Sequence, residues 1–247
     1  MEKKASGDIS SKMISVVIPA YNEEGKLPSA IKKIREYLSK KGHDYEIIVV
    51  DDGSSDKTSS CVQGIDTPNV VLLKNEKNMG KGYSVRRGVL SAKGDLIMFT
   101  DADLSTPIEE LDRFLEEIKE NDIVIGSRSL PESNIEVPQG IIRNRLGKIF
   151  GLLVNRFVIK GIGDSQCGFK LFRRDTAYKI FPFARMNGFA FDVEILLIAK
   201  KLGKKIKILP ITWRNSASSR LHPIIDSTKM FIELIKIKIN EVRGFYG

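Results

Sequence analysis

The chain has 247 residues, 42% of them hydrophobic, which is enough for one large globular domain. Its net charge of +9 favours an anionic partner such as a nucleotide phosphate or an anionic lipid surface; a solvated lysine-rich surface is the alternative. Nucleic acid is not indicated, because there is no zinc finger, basic repeat or aromatic RNA-binding motif. Cys61 and Cys167 match no disulfide or zinc spacing, so we expect reduced thiols in the cytoplasm.

The first 127 residues alternate between strand-like and helix-like segments. Residues 1–12 lack the apolar segment of a signal peptide, and we expect a disordered tail. Helical segments separate the apolar strands MISVVIP, YEIIVVD, NVVLLK, DLIMFTD and DIVIGS. The fourth helix is expected to begin with a capping box formed by Thr106 and Glu109. This alternation predicts an α/β fold with a mostly parallel sheet, covered by helices on both faces.

The second half of the chain is less regular. Its pattern predicts strands at FKLFR and KKIKILPI and helices at residues 174–181 and FDVEILLIAKKLG. It also predicts a polar loop at TWRNSASSRLH. We expect one domain over residues 13–222, in which 13–127 bind a nucleotide and 128–222 build the acceptor side. Residues 223–247 are expected to form a C-terminal amphipathic helix.

Two segments combine an apolar stripe with basic residues, at 140–161 and 223–246. Basic amphipathic helices of this kind lie on anionic membrane surfaces, or they pack on the core and show their charges to water. Neither segment reaches the ~20 apolar residues that a membrane span needs. The sequence therefore predicts a peripheral contact with a membrane as one of two alternatives.

Acidic residues follow three of the predicted parallel strands, at the edge where ligands bind in such sheets. Asp101 and Asp103 follow the fourth strand, and an extended backbone would point both carboxylates the same way. Such oxygens suit Mg²⁺ or Mn²⁺, with a solvated loop as the alternative. Asp51 and Asp52 end the second strand, where they could accept hydrogen bonds from a nucleoside or form a turn.

Two further loops complete the predicted nucleotide site. Pro19, Tyr21 and Glu23 lie in a loop that could hold a base by stacking and polar contacts, or begin a helix. In NMGKG, the glycines and Lys81 stand at a helix start, where backbone N–H groups and the ammonium favour phosphate.

Five segments in the first half of the chain resemble, in their order, those of an inverting family 2 glycosyltransferase with the GT-A fold. They are VVIPAYNEE, IIVVDDGSSDKT, NMGKGYSVRRG, DLIMFTDADLST and VIGSR. The later segments GDSQCGFKLFRRD, GFAFDVEILLIAKKLG and LPITWRNSASSRL are similar to the polyprenyl-phosphate branch of that family. They are most similar to the dolichyl-phosphate β-glucosyltransferases, and less so to the dolichyl-phosphate mannose synthases. The Gln-x-x-Arg-Trp motif of the processive synthases is absent.

The resemblance implies roles for individual residues. Pro19, Tyr21, Glu23 and Asp52 would hold the nucleoside, and Asp101 and Asp103 would bind the metal on the donor diphosphate. Asp103 and Asp192 are the candidate catalytic residues, and Asp192 would be the base, with a helix-start acid as the alternative. Basic side chains would approach the phosphates of donor or acceptor: Arg128, Arg143, Arg145 and Arg220.

The implied reaction moves glucose from UDP-glucose to a polyprenyl phosphate at the cytoplasmic face of a membrane. Ser105 stands where mannosyl relatives have glutamine, which favours UDP-glucose over GDP-mannose and leaves the third protein ligand of the metal open. We expect no counterpart of the hydrophobic span that begins eukaryotic glucosyl relatives, and the need for an integral-membrane partner stays open. One alternative is the same reaction with another sugar nucleotide as donor. A second is a haloacid-type phosphatase, because DADLS also resembles the motif that carries the nucleophilic aspartate of that class. A third is a non-enzymatic protein that senses nucleotide sugars.

Overall fold

The computed structural model describes residues 11–137, 141–214 and 223–246, so most of the predicted tail lies outside the described residues. The strands are β1 Ile14–Ala20, β2 Tyr45–Asp51, β3 Val70–Lys74, β4 Leu96–Phe99, β5 Ile123–Ser127, β6 Asn134–Val137, β7 Lys170–Arg173, β8 Ile206–Pro210 and β9 Thr212–Arg214. The helices are α1 Leu27–Lys40, α2 Thr58–Gln63, α3 Lys81–Ser91, α4 Leu111–Glu117, α5 Ile141–Phe157, α6 Arg174–Ile180, α7 Phe191–Lys201 and α8 Pro223–Val242.

Seven strands form one sheet in the order β3-β2-β1-β4-β7-β5-β8. The neighbours are parallel except around β7, which runs antiparallel to both β4 and β5. The predicted α/β class with a mostly parallel sheet is therefore confirmed. The short strands β6 and β9 pair separately, so part of the predicted polar loop is a strand.

Both faces of the sheet are covered by helices, as the continuous apolar strands predict. In β1, Val16 and Ile18 pack with residues of α1 and α4 on one face, whereas Val17 packs with residues of α3 and α7 on the other. Burying each such side chain contributes about 1.5–3 kcal/mol relative to leaving it exposed. With both faces closed, the carboxyl ends of the parallel strands form the edge at which a ligand can reach the sheet.

Local sequence signals explain some helix boundaries and fail at another. In α1 the buried positions include Ile31, Ile34 and Leu38, as the helical spacing predicts. The predicted capping box before α4 is wrong, because a 3₁₀ turn with no side-chain cap occupies Ile108–Glu110. Both cysteines are free thiols, as expected.

The C-terminal helix is confirmed as α8, and its amphipathic character stays a prediction. Leu234 and Ile237 are buried against the domain. Large apolar side chains are exposed on the same helix: Phe231, Ile232, Ile235, Ile239 and Val242. Within the described ranges, no helix combines the length and hydropathy that crossing a membrane requires.

Candidate active site

The loops that carry the predicted acidic site residues meet at the carboxyl edge of the sheet. Parallel strands β2, β1 and β4 lie side by side, so the loops that follow them meet there. The antiparallel β7 begins at this edge, because Lys170 pairs with Phe99 near the end of β4 and with Ile125 in β5. The first residue of β7 therefore joins the acids that follow β2 and β4.

Asp51 and Asp52 are buried and hydrogen-bonded within the protein. Asp51 accepts hydrogen bonds from the backbone N–H of Ser54 and the hydroxyl of Ser59. Asp52 accepts three hydrogen bonds. One comes from the Asn75 side-chain amide at 2.6 Å, and two come from the backbone N–H groups of Met79 and Gly80 at 2.9 and 2.8 Å. Asp52 thereby holds the loop that leads into α3, and its contact with a nucleoside stays a prediction.

Asn22 joins the first two loops of the site, a role that its sequence context does not reveal. Its side-chain oxygen accepts the backbone N–H of Ser55 at 2.8 Å, and its own N–H donates to the Ser54 hydroxyl at 2.8 Å. Its φ of 55° is left-handed, a region that asparagine tolerates. Tyr21, next to it, keeps 42% of its surface exposed.

Asp101 and Asp103 lie on a turn, so the extended backbone predicted for them is wrong. The N–H of Leu104 donates to the Asp101 carbonyl at 3.1 Å, and Leu104 has a φ of 46°. A left-handed φ is costly for a bulky residue, which indicates that surrounding contacts impose this turn. The Asp103 carboxylate accepts the Ser105 N–H at 3.0 Å.

Lys81, the first residue of α3, lies among these carboxylates. Its Nζ is 2.6 Å from Asp101 Oδ1. Burial lowers the pKa of Lys81, but the nearby carboxylates, Asp101 first and then Asp192 and Asp103, outweigh burial and raise the pKa above its ordinary value. Lys81 therefore stays charged at neutral pH, beside the carboxylates of Asp101, Asp103 and Asp192.

The carboxylate turn fits a hard divalent cation. Asp101 keeps 39% of its side chain exposed, and an ammonium group already lies against it, so the turn stabilises positive charge. Within the described ranges, no group of three or more His, Cys, Asp or Glu side chains could hold a metal by itself. Asp101 and Asp103 could therefore hold Mg²⁺ or Mn²⁺ only if substrate oxygens and water complete its coordination.

Arg128 is held by a partner that the sequence analysis did not identify. Its Nε and a terminal nitrogen donate to the two oxygens of Asp164 at 2.7 and 2.8 Å, and its backbone N–H donates to the same carboxylate at 2.9 Å. The guanidinium also lies 5.6 Å from the ring centroid of Trp213. Arg128 keeps 29% of its side chain exposed, so the fixed guanidinium can still meet a phosphate.

Gly168 brings the 164–169 segment against the carboxylate turn. A Cβ atom at this position would fall inside van der Waals contact with the Asp101 carboxylate. Gly80 is similarly constrained, by a φ of 100° and by the Asn187 carbonyl. The sequence gives no signal for Gly168, because the contact joins residues 67 positions apart.

Asp192 lies in the first turn of α7, where it is bonded to a buried lysine. Lys170 is fully buried, donates to Asp192 and to the Cys167 carbonyl at 2.6 Å, and lies 5.2 Å from the ring centroid of Phe99. Burial raises the pKa of Asp192, and Lys170 and Lys81 oppose that rise. Its predicted role as a base is untested, and the observed contact is structural.

Helix α8 also reaches the site through the start of α7. The Glu233 carboxylate accepts the backbone N–H groups of Gly188 and Ala190, both at 3.1 Å. The Asn187 carbonyl accepts the Gly82 N–H at 2.7 Å, so the same segment supports the start of α3. The C-terminal helix thus stabilises the segment on which Lys81 depends.

Three predicted arginines have no described side chain. Arg143 and Arg145 belong to α5, but the structure does not describe their side chains. Arg220 lies outside the described residues. Their predicted contacts with phosphate stay predictions.

Known proteins match this chain along most of its length. The family Glycosyl transferase family 2 matches residues 15–181. A dolichyl-phosphate beta-glucosyltransferase of Dictyostelium discoideum is 38% identical over 248 residues, which cover 94% of this chain and 76% of the relative. The human dolichyl-phosphate beta-glucosyltransferase is 35% identical over 255 residues, covering 96% and 78%.

Solved structures match the fold. A crystal structure of glucosyl-3-phosphoglycerate synthase from Mycobacterium tuberculosis, in complex with Mn²⁺, UDP and phosphoglyceric acid, has a TM-score of 0.71 at 20% identity and covers 96% of this chain and 84% of that one. Mannosyl-3-phosphoglycerate synthase from Rubrobacter xylanophilus has a TM-score of 0.70 at 18% identity, covering 95% and 76%. The expected GT-A fold is confirmed. The chain belongs to glycosyl transferase family 2, with the dolichyl-phosphate β-glucosyltransferases among its relatives, and is a glycosyltransferase.

Proposed function

We propose that this enzyme transfers glucose from UDP-glucose, with inversion, to the phosphate of a dolichyl-type polyprenyl phosphate at the cytoplasmic face of a membrane. The observation that carries the proposal is the 38% identity to a dolichyl-phosphate beta-glucosyltransferase over 94% of the chain. The turn at Asp101 and Asp103, beside Lys81, supports it because cleaving a sugar diphosphate places negative charge on the leaving group.

On the donor side, the described residues would bind and orient the sugar nucleotide. Tyr21 is exposed for stacking on the base, and the Lys81 ammonium would meet a diphosphate oxygen when it leaves Asp101. Mg²⁺ or Mn²⁺ held by Asp101 and Asp103 would stabilise the charge that develops on the departing diphosphate. Asp52 contributes by fixing the loop before Lys81.

On the acceptor side, orientation matters more than deprotonation. A phosphate monoester has a second pKa of about 6, so near neutral pH it is already largely dianionic and nucleophilic. Arg128, fixed by Asp164, would orient this phosphate, with Arg143, Arg145 and Arg220 as further candidates. Asp192 is bonded to Lys170, which favours a positioning role for this acid over a role as base.

The lipid acceptor places the enzyme on a membrane surface. The apolar side chains exposed on α8 support such a contact, because they can enter the boundary between headgroups and acyl chains. Whether an integral-membrane partner takes part stays an open alternative.

The test is a transfer assay with purified protein, a short polyprenyl phosphate, Mg²⁺ or Mn²⁺ and either UDP-glucose or GDP-mannose. We expect a glucosyl-lipid product with UDP-glucose that disappears when EDTA is added. Mannosyl-lipid from GDP-mannose with no glucosyl product would overturn the donor assignment. Donor turnover without any lipid product would overturn the acceptor assignment.

A further inference from the structure

A cleft lies at the other end of α7 from the candidate active site. The cleft has a volume of about 430 Å³ and lies between the later turns of α5, α7 and α8. Lys200 in this cleft is eight residues beyond Asp192 in the same helix, which is about 12 Å along the axis. The charged lining has five cations and one carboxylate: Arg156, Lys160, Lys200, Lys201, Lys238 and Glu241.

The charges in this cleft are not balanced by the side chains that line it. Glu241 lies 2.5 Å from Lys238 and neutralises one positive charge, so Arg156, Lys160 and Lys200 leave the lining a net charge of +3 with Lys201 left out of the count. Lys200 donates to the Lys160 backbone carbonyl at 2.5 Å, which fixes its ammonium without neutralising it. Like charges held together repel, and an anion in the cleft would relieve that repulsion.

The surroundings of the cleft are apolar and exposed. Phe157 lines the cleft with 62% of its surface exposed. On α5, Arg156 falls on the same helical arc as the exposed Ile149 and Leu152, by their spacing of seven and four residues. On α8, Lys238 lies on the same side of the helix as three exposed apolar residues, because it is separated from them by seven, three and four positions: Phe231, Ile235 and Val242.

Cations and exposed apolar side chains on shared arcs match the chemistry of a lipid headgroup at a bilayer surface. The apolar side chains would enter the acyl boundary while the basic side chains meet the phosphates. A free phosphate ion would gain nothing from the apolar rim, so the rim favours a lipid as the source of the anion.

We propose that this cleft binds the phosphate headgroup of an anionic membrane phospholipid, at a site separate from the one that takes the acceptor. The inference rests on the proposed function only in that both place the enzyme on a membrane. The headgroup would orient α5 and α8 on the bilayer without taking part in the transfer.

The test compares two double variants that each remove two positive charges. R156Q/K160Q changes exposed cations of the cleft, and K33Q/K40Q changes exposed lysines of α1, on the opposite face of the sheet. Binding is measured by flotation with phosphatidylcholine vesicles, with and without phosphatidylglycerol, at physiological ionic strength. We expect R156Q/K160Q to weaken binding to the anionic vesicles about tenfold, and K33Q/K40Q to weaken it less than about twofold.

Equal losses in the two variants, or no loss in R156Q/K160Q, would overturn the inference. Glycerol phosphate that displaces the protein from vesicles at low millimolar concentration would also overturn it, because the cleft would then take a soluble phosphate. A transfer assay with a water-soluble, short-chain acceptor and no vesicles separates this inference from the proposed function, because it needs no contact with a membrane. R156Q/K160Q should transfer sugar to it at the wild-type rate, whereas failure of the proposed function would leave the wild type inactive and the vesicle result unchanged.

Discussion

The carboxyl edge of the sheet and the α5–α8 face contain charged side chains in opposite arrangements. At the edge, Asp101 pairs with Lys81 at 2.6 Å and Asp164 pairs with Arg128 through two bonds of 2.7 and 2.8 Å. On the α5–α8 face, Arg156, Lys160, Lys200 and Lys238 line a single cleft that contains one carboxylate, that of Glu241. The first arrangement is complete within the protein, and the second has an excess of positive charge.

The difference indicates what each region is built for. Paired charges hold side chains in fixed positions, which a reaction centre needs because misplaced groups lose transition-state stabilisation. Excess charge beside exposed apolar surface contributes little to stability and is suited to an external partner. Substitutions at the edge should therefore affect catalysis and stability strongly, whereas those on the α5–α8 face should affect mainly association.

The largest effect is expected at the carboxylate turn. Asp101→Asn should lower the transfer rate about 10³-fold, because an amide neither pairs with Lys81 nor gives a metal a charged oxygen. Initial rates with labelled UDP-glucose measure the loss, and circular dichroism checks the fold. Asp66→Asn is the same chemical change at an exposed acid and should alter the rate less than about twofold. A D101N enzyme that kept more than about a tenth of the rate would remove Asp101 from the reaction centre.

The next effect concerns the stability conferred by Asp164. Burial raises the pKa of this carboxyl, and Arg128 lowers it by more, so the folded pKa lies below the unfolded value of about 4. Such a group stabilises the fold above the unfolded pKa and loses that contribution as the pH falls through the folded pKa. Asp164→Asn should cost about 3 kcal/mol at neutral pH, because it leaves Arg128 without its charged partner.

Urea unfolding at several pH values measures this contribution. The difference between wild type and D164N should be constant from about pH 7 to 5 and should shrink below about pH 4. Asp66→Asn, the same chemical change at an exposed position, serves again as the control for the substitution itself. A D164N deficit that stayed the same at every pH would contradict the assignment of the lowered pKa to this pair.

A smaller effect is expected where the backbone approaches the turn. Gly168→Ala should lower the transfer rate about thirtyfold, because the added Cβ would displace the Asp101 carboxylate or the 164–169 segment. Gly64→Ala adds the same methyl group where its nearest neighbour is an ordinary 3.5 Å away, and should leave the rate unchanged. If both variants were equally active, the close approach of Gly168 to Asp101 would have no functional meaning.

The smallest effect compares two positions of α5. Leu152 is 69% exposed, so Leu152→Ser should change the free energy of unfolding by less than about 0.5 kcal/mol. Val154 is fully buried two residues away, and Val154→Ala should cost about 2 kcal/mol. Urea unfolding measures both values. A Leu152→Ser loss as large as that of V154A would mean that the exposed arc supports the fold.

The local pattern was sufficient to predict the alternating first half of the fold. Five strands and their order along the chain follow from continuous apolar segments bounded by turn residues, because each signal is contained within about a dozen residues. The same reasoning located Asp101, Asp103 and Lys81 at one edge, since parallel strands end together. It failed for the backbone between the two aspartates, where the turn at Leu104 depends on tertiary contacts.

The pairings inside the site could not be predicted, because they join distant parts of the chain. Arg128 and Asp164 are 36 residues apart, and Lys170 meets Asp192 across 22. Nothing near Asn22, Asn75 or Gly168 in the sequence indicates the loops that they contact. The contacts of Gly168 and Lys170 depend on the placement of β7, and a strand direction set by long-range pairing leaves no local signal.

The position of β7 constrains how the molecule can assemble. Strands β4 and β5 are consecutive along the chain, yet residues 170–173 lie between them in the sheet. A nascent chain that has passed β5 but not yet reached β7 cannot close its sheet, and two strand edges with unpaired backbone groups are then open to other chains. A fragment that ends at residue 127, produced by expression of a truncated gene or by proteolysis, should therefore aggregate. It should not fold as an isolated nucleotide-binding module.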